Sequence, residues 1–143
     1  MLLKPNCVYR GLIGEVIRRF EDKGFRMIGL KMTRPSKQML EEFYSVHRGK
    51  QFFNELIEFM MTGPIVAFIL EGPDCVKVVR NMIGATDFLQ AQPGTVRGDY
   101  SLSTGKNLIH GSDSVEIATK EISLLFRKDE IQDWKSPISE YVY

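Results

Sequence analysis

Early in the chain, apolar residues recur at helical steps. Leu12, Ile13, Val16, Ile17 and Phe20 fall on one stripe, with Glu15, Arg18, Arg19, Glu21 and Asp22 opposite it. The pattern predicts a helix that stops at Gly24, where a residue tolerant of the left-handed conformation belongs. Before it, Met1 to Lys4 is a short apolar start ended by Pro5 and reads as a strand. After it, Phe25 to Thr33 is apolar-rich, too short for another helix directly after a glycine stop, and closed by Arg34-Pro35. It reads as strand two. Ser36 suits the N-cap of a helix through about Val46, with Met39, Leu40 and Phe43 inward. A further helix carries Phe52, Phe53, Leu56, Ile57 and Met60 up to Thr62-Gly63-Pro64. Joined through His47-Arg48-Gly49-Lys50, the two predict a helical hairpin projecting from the core.

Ile65 to Leu70 is apolar without a break and bounded by turn residues, as expected of a strand buried on both faces. Asp74 is placed to cap the next helix, with Cys75, Val78, Val79, Met82 and Ile83 inward, Arg80 outward and Gly84 closing it. No period persists from Ala85 to Lys106, which predicts a long functional loop holding at most a short helical piece. Leu108 and Ile109 make a last strand ending at His110. Ser112, Asp113 or Ser114 can cap a final helix with apolar Val115, Ala118, Ile122, Leu125 and Phe126. Lys128 to Tyr143 is a tail whose Trp134, Tyr141 and Tyr143 predict docking, on the domain itself or on a neighbouring subunit.

Without the hairpin, the order is strand, helix, strand, twice over, then a closing helix. Two split βαβ halves of this kind predict an α+β, ferredoxin-like sandwich: a four-stranded antiparallel sheet with helices on one face, the inserted helical hairpin and the C-terminal tail. The first strand would be central, yet the chain begins almost inside it, so either residues precede it or the strand is short.

The totals narrow the function. A length of 143 residues is one domain, and 43% apolar with 26% charged residues is a soluble globular composition. The longest apolar run is far below a membrane span and no signal-peptide layout is present, so the expectation is cytoplasmic, with no membrane partner. A net charge of +1 with interspersed signs argues against nucleic acid as the main partner. Cys7 and Cys75 form no CxxC pair and have no histidine at ligand spacing, so both are expected as reduced core residues and no metal site is expected.

Neither Walker A nor Gly-x-Gly-x-x-Gly is present, so any phosphate must be held by side chains. Lys4, Arg80 and Arg97 offer charge and forked donors, while Thr86 and Asn107 add neutral ones. Each alone also reads as an ordinary surface or strand-end residue. His110 sits between an apolar run and the small polar cluster Gly111-Ser112-Asp113-Ser114, a setting that suits a nucleophile as well as a structural histidine donating to a carbonyl. Glu121 follows eleven residues later, about three turns along a helix. If that helix folds back, its carboxylate can accept from either imidazole nitrogen and leave the other free. Phe52 reads as core or as a base-stacking platform, and His47 as a surface or packing residue.

Along essentially its whole length the chain resembles the nucleoside diphosphate kinases. The resemblance is carried by Lys4-Pro5, Arg10-Gly11-Leu12-Ile13-Gly14-Glu15, Gly24-Phe25, Phe52-Phe53, Gly63-Pro64, Pro93 to Asp99, Asn107 to Ser114, and Glu121-Ile122-Ser123. It implies that His110 is the phosphorylated nucleophile, that Glu121 orients it and that Ser112 supports Glu121. It implies that Tyr44 bonds near the imidazole and the transferring phosphate, and that Arg80, Thr86 and Arg97 hold phosphates. Lys4 and Asn107 are then expected at the ribose hydroxyls, and Phe52 with Leu56 at the base. The substrates so implied are nucleoside di- and triphosphates, exchanged by a ping-pong reaction, with Mg²⁺ carried mainly by the nucleotide phosphates. The long tail, and Pro93 in the loop that supports trimer contacts in such proteins, imply a homo-oligomer, a hexamer built as a trimer of dimers. The chain departs from the family's usual pattern at three places: Asn6-Cys7, where an Asp and a small residue are common; Asp87-Phe88, where Asn-Pro is common; and Thr104, often apolar. The competing expectations are a regulatory or scaffold protein on the same fold and phosphotransfer from His110 to a protein acceptor.

Overall fold

In a computed structural model describing residues 1–142, four strands form one antiparallel sheet: β1 (Leu2–Leu3), β2 (Arg26–Thr33), β3 (Ile65–Glu71) and β4 (Ile109–His110). Their order is β2-β3-β1-β4, with Leu2 opposite Ala67 on one side and opposite His110 on the other. The first strand is central, as the split βαβ reading requires, and it is short. The helices are α1 (Pro5–Tyr9), α2 (Ile13–Lys23), α3 (Lys37–Phe43), α4 (Phe53–Met61), α5 (Cys75–Ile83), α6 (Val96–Tyr100) and α7 (Val115–Leu125). Tyr143, the last of the tail aromatics, lies outside the described residues.

Strand alternation divides the core in two. Leu3, Val66 and Phe68 pack with Val16 and Phe20 of α2 and Val79 and Ile83 of α5. Leu2, Ile65, Ala67 and Ile69 pack on the other side with Leu40, Phe43, Ile57 and Met60 of the hairpin and with Leu125 and Phe126. The expectation of helices on one face and a projecting hairpin is therefore corrected. Ile65 to Ile69 are all buried, so β3 needs cover on both faces, and the hairpin supplies the second cover.

Local chemistry sets the boundaries. Ser36 Oγ accepts from the Met39 amide at 3.2 Å, and Ser114 Oγ accepts from the Ile117 amide at 3.1 Å, so Ser114 is the cap among its three candidates. Gly24 ends α2 at φ 102°, in the left-handed conformation expected of it. Asp74 does not cap α5: it precedes that helix at φ 46° without a side-chain bond to its amides. The helix from Ser36 ends at Phe43, and Ser45–His47 is a short 3-10 turn. Helix α1, begun by Pro5 at a first-turn position, is too short to show a period in sequence. Val115 at the start of α7 is exposed. The tail docks on its own domain: the Gln132 amide donates to the Ile28 carbonyl at 2.7 Å and Trp134 Nε1 to the Met27 carbonyl at 2.9 Å, along the outer edge of β2.

Candidate active site

His110 ends β4 at the rim of a cleft of about 700 Å³. Leu108, two residues earlier, is fully buried with φ 72°, a conformation rare for a branched side chain. Around this bend the backbone is pinned by one side chain and one backbone amide from elsewhere in the fold. Arg97 Nη2 donates to the Ile109 carbonyl at 2.8 Å, and the Lys4 amide donates to the Leu108 carbonyl at 2.8 Å.

Nε2 of His110 lies 2.8 Å from Oε1 of Glu121, and Ser112 Oγ donates to Oε2 of the same carboxylate at 2.5 Å. An ionised carboxylate only accepts, so Nε2 carries the proton and Nδ1 keeps a free lone pair. Phe43 and Tyr44 meet the imidazole edge-on, with ring centroids 4.9 and 5.8 Å away, and lock its plane. Burial lowers the His110 pKa below its ordinary value against the opposing pull of Glu121, keeping the ring neutral at pH 7. Burial opposes ionisation of Glu121, but the bonds from His110 and Ser112 outweigh it and hold the carboxyl below its usual range.

Four cations line the cleft: Lys4, Arg80, Arg97 and Lys106. Lys4 is 6% exposed, and its pKa is pushed down to about 8, first by burial and then by Arg97. Arg97 donates to the carbonyls of Gly84 at 3.0 Å and Asn107 at 3.4 Å and to Thr86 Oγ1 at 3.5 Å. Burial and Arg80 push its pKa down to about 10, which leaves it charged at neutral pH. Arg80 is outward-facing, as expected, and pairs with Asp113. Two buried polar atoms aimed into this region have no partner: the Tyr44 hydroxyl, raised in pKa by burial, and Asn107 Oδ1. Unpaired buried groups are costly, so a ligand that satisfies them is favoured.

Lys4, Tyr44, Phe52, Leu56, Arg80, Thr86, Arg97, Asn107 and His110 all line this one cleft, while Glu121 and Ser112 lie behind His110. Phe52 is 47% exposed and forms an open shelf at the far end. Sequence reasoning passed over two residues here. His47 lies between Tyr44 and Phe52, its ring 6.3 and 5.2 Å from theirs; the signal was its place three residues after Tyr44. Asp113 partners Arg80, and nothing in its polar neighbourhood distinguished it from a cap.

Fold and cleft together define a ferredoxin-like α+β sandwich with a neutral, carboxylate-held histidine facing a cationic, anion-accepting cleft. A sequence model of the nucleoside diphosphate kinase family matches residues 1–131. A nucleoside diphosphate kinase of Staphylothermus marinus is 59% identical over 134 residues, covering 94% of this chain and 95% of that protein. One from Synechococcus elongatus is 50% identical over 141 residues, covering 99% and 95%. Among solved structures, a halophilic nucleoside diphosphate kinase of Halobacterium salinarum in complex with CDP superposes with a TM-score of 0.96 at 44% identity. That superposition covers 99% of this chain and 95% of the other. The chain belongs to the nucleoside diphosphate kinase family.

Proposed function

We propose that the chain is a nucleoside diphosphate kinase that moves the γ-phosphoryl group of a nucleoside triphosphate to a nucleoside diphosphate through a phosphohistidine at His110. The observation that carries this reading is the free Nδ1 of His110 in a cleft lined by four cations, while Nε2 is held by Glu121. In the first half-reaction, Nδ1 attacks the γ-phosphorus in line. The Nδ1–P bond forms, the bond to the β,γ-bridging oxygen breaks, and the diphosphate leaves with that electron pair. Glu121, braced by Ser112, stabilises the positive charge that the ring acquires. Arg80, Arg97 and Thr86 hold the phosphates, and the Tyr44 hydroxyl donates near the transferring group. Lys4 and Asn107 take the ribose hydroxyls, and the base stacks on Phe52 with Leu56 beside it. A second diphosphate then enters the same cleft and the steps run in reverse, a ping-pong cycle.

Among the described residues, no three His, Cys, Asp or Glu side chains gather as a metal cage, while the cleft gathers phosphate-binding cations. That donor set fits Mg²⁺ entering on the nucleotide phosphates, with no dedicated protein ligands. When bound, the ion neutralises phosphate charge. Among the described residues, no helix is long and apolar enough to cross a membrane. The family and the long tail support a cytoplasmic homo-hexamer.

The test is labelling with γ-labelled ATP and Mg²⁺, followed by a chase with unlabelled GDP. Acid-labile label on the protein, passed to GTP and absent from His110→Ala, is the expected result. A wild type that takes no label, or a variant that labels equally, refutes the reading.

A further inference from the structure

We propose that Asn6 is a positioning residue for the nucleoside half of the cleft; the proposal rests on the kinase reading above. Asn6 is the second residue of α1 and does not line the cleft. Its Nδ2 donates to the Lys106 carbonyl at 2.8 Å, a bond between residues one hundred positions apart. A carbonyl can only accept, so the group facing it must be the amide nitrogen. The side-chain oxygen, Oδ1, is buried without a partner. The side chain is thus inserted against the loop at an energetic cost, with its one bond directed at Lys106.

That bond completes a clasp. Three successive carbonyls are held from outside the loop: Lys106 by Asn6, Asn107 by Arg97 Nε at 3.4 Å, and Leu108 by the Lys4 amide at 2.8 Å. Asn107, whose own Oδ1 awaits a partner, sits in the middle of the three. The remaining hydrogen bonds of residues 103–106 reach no further than Ser101 and Asn107: Ser101 Oγ to the Ser103 carbonyl at 2.9 Å, the Ser103 amide to Ser101 Oγ at 3.5 Å, the Lys106 amide to Ser103 Oγ at 3.2 Å, and Asn107 Nδ2 to the Thr104 carbonyl at 2.9 Å. Among the described residues, Asn6 therefore supplies the only hydrogen bond between the body of the protein and residues 103–106, the cleft wall ahead of Asn107. Releasing it leaves that wall free to shift while the His110, Glu121 and Ser112 relay stays as it is. An ionised carboxylate, the side chain common at this position in the family, cannot make this bond, because it has no proton to donate to the carbonyl, so the clasp belongs to this chain's departure at Asn6.

The experiment compares wild type with Asn6→Ala and the isosteric Asn6→Asp using two phosphoryl donors. One is a nucleoside triphosphate; the other is phosphoramidate, which carries no nucleoside. The expected result is a rise in KM for nucleoside diphosphate of about three- to tenfold in Asn6→Ala and in Asn6→Asp, neither of which can donate to the Lys106 carbonyl, with kcat within about twofold and unchanged labelling of His110 by phosphoramidate. Unchanged KM in both variants overturns the proposal, and so does a parallel loss of phosphoramidate labelling, which marks general misfolding. A wild type that takes label from neither donor overturns the kinase reading and this proposal with it.

Discussion

At the scale of single residues, burial and one hydrogen bond decide the protonation of the site. His110 must be neutral to attack, and burial lowers its pKa, so it is ready at pH 7 and lost only in acid below the ordinary imidazole range. Lys4, set at the ribose hydroxyls, adds its positive charge to the field that draws an anionic substrate into the cleft, and burial with Arg97 brings its pKa to about 8, so that charge is lost as pH rises through that value. The expected profile of kcat/KM for the free enzyme is therefore a bell, with an acid limb from His110 and an alkaline limb near 8 from Lys4. Lys4→Arg should lower the rate and abolish the alkaline limb, since a guanidinium stays charged. An alkaline limb that survives in that variant refutes the assignment. The residue types were legible in sequence: His110, Glu121, Lys4, Arg80, Arg97, Thr86 and Asn107 were all candidates before their convergence was visible. Which imidazole nitrogen stays free was not legible, because ring orientation depends on where α7 crosses β4, and neither was His47, which gains its place only when Tyr44 and Phe52 close around it.

Among the elements, α7 is the one on which the relay depends, for it carries Glu121 and begins at the Ser114 cap. Ser114→Ala should cost about 1 kcal/mol of stability, a fall of about 3 °C in Tm, with activity at 25 °C unchanged because Glu121 lies nearly two turns further on. Thermal unfolding and assay of one preparation check both halves; loss of activity without loss of stability contradicts the reading. Periodicity located α2, α4, α5, α7 and the buried strand β3 to within a residue or two, since each has a stop signal and one apolar face. It failed where an element is too short to have a period, as in α1, and where backbone conformation overrides residue type, as at Asp74. The hairpin's placement also escaped it: an apolar face shows that something must be covered, while the side of the sheet it covers is set by tertiary packing.

Across the whole molecule, the tail and β2 determine how much sheet edge remains open. Gln132 and Trp134 occupy the Met27–Ile28 end of that edge, while Leu30 and Met32 further along are more than half exposed, at 54% and 56%. A chain ending at Ile131 should unfold several degrees lower and sediment as heterogeneous larger species, because a longer free strand edge invites unspecific pairing. The intact chain should sediment as one species of hexameric mass. A stable monomer at micromolar concentration refutes the proposed assembly, and an unaltered truncated chain shows the tail to be passive. Phe52 has a consequence of another kind. It is one open ring, 47% exposed, with no second aromatic required above it, and every base has a face that it can stack. On the proposed reading, the cleft grips what all nucleotides share and discards the part that spells a letter. In terms of information, such a carrier erases the identity of its substrate at each turnover. A surplus of phosphoryl groups in any one nucleotide pool then spreads to the others until their ratios of tri- to diphosphate are equal.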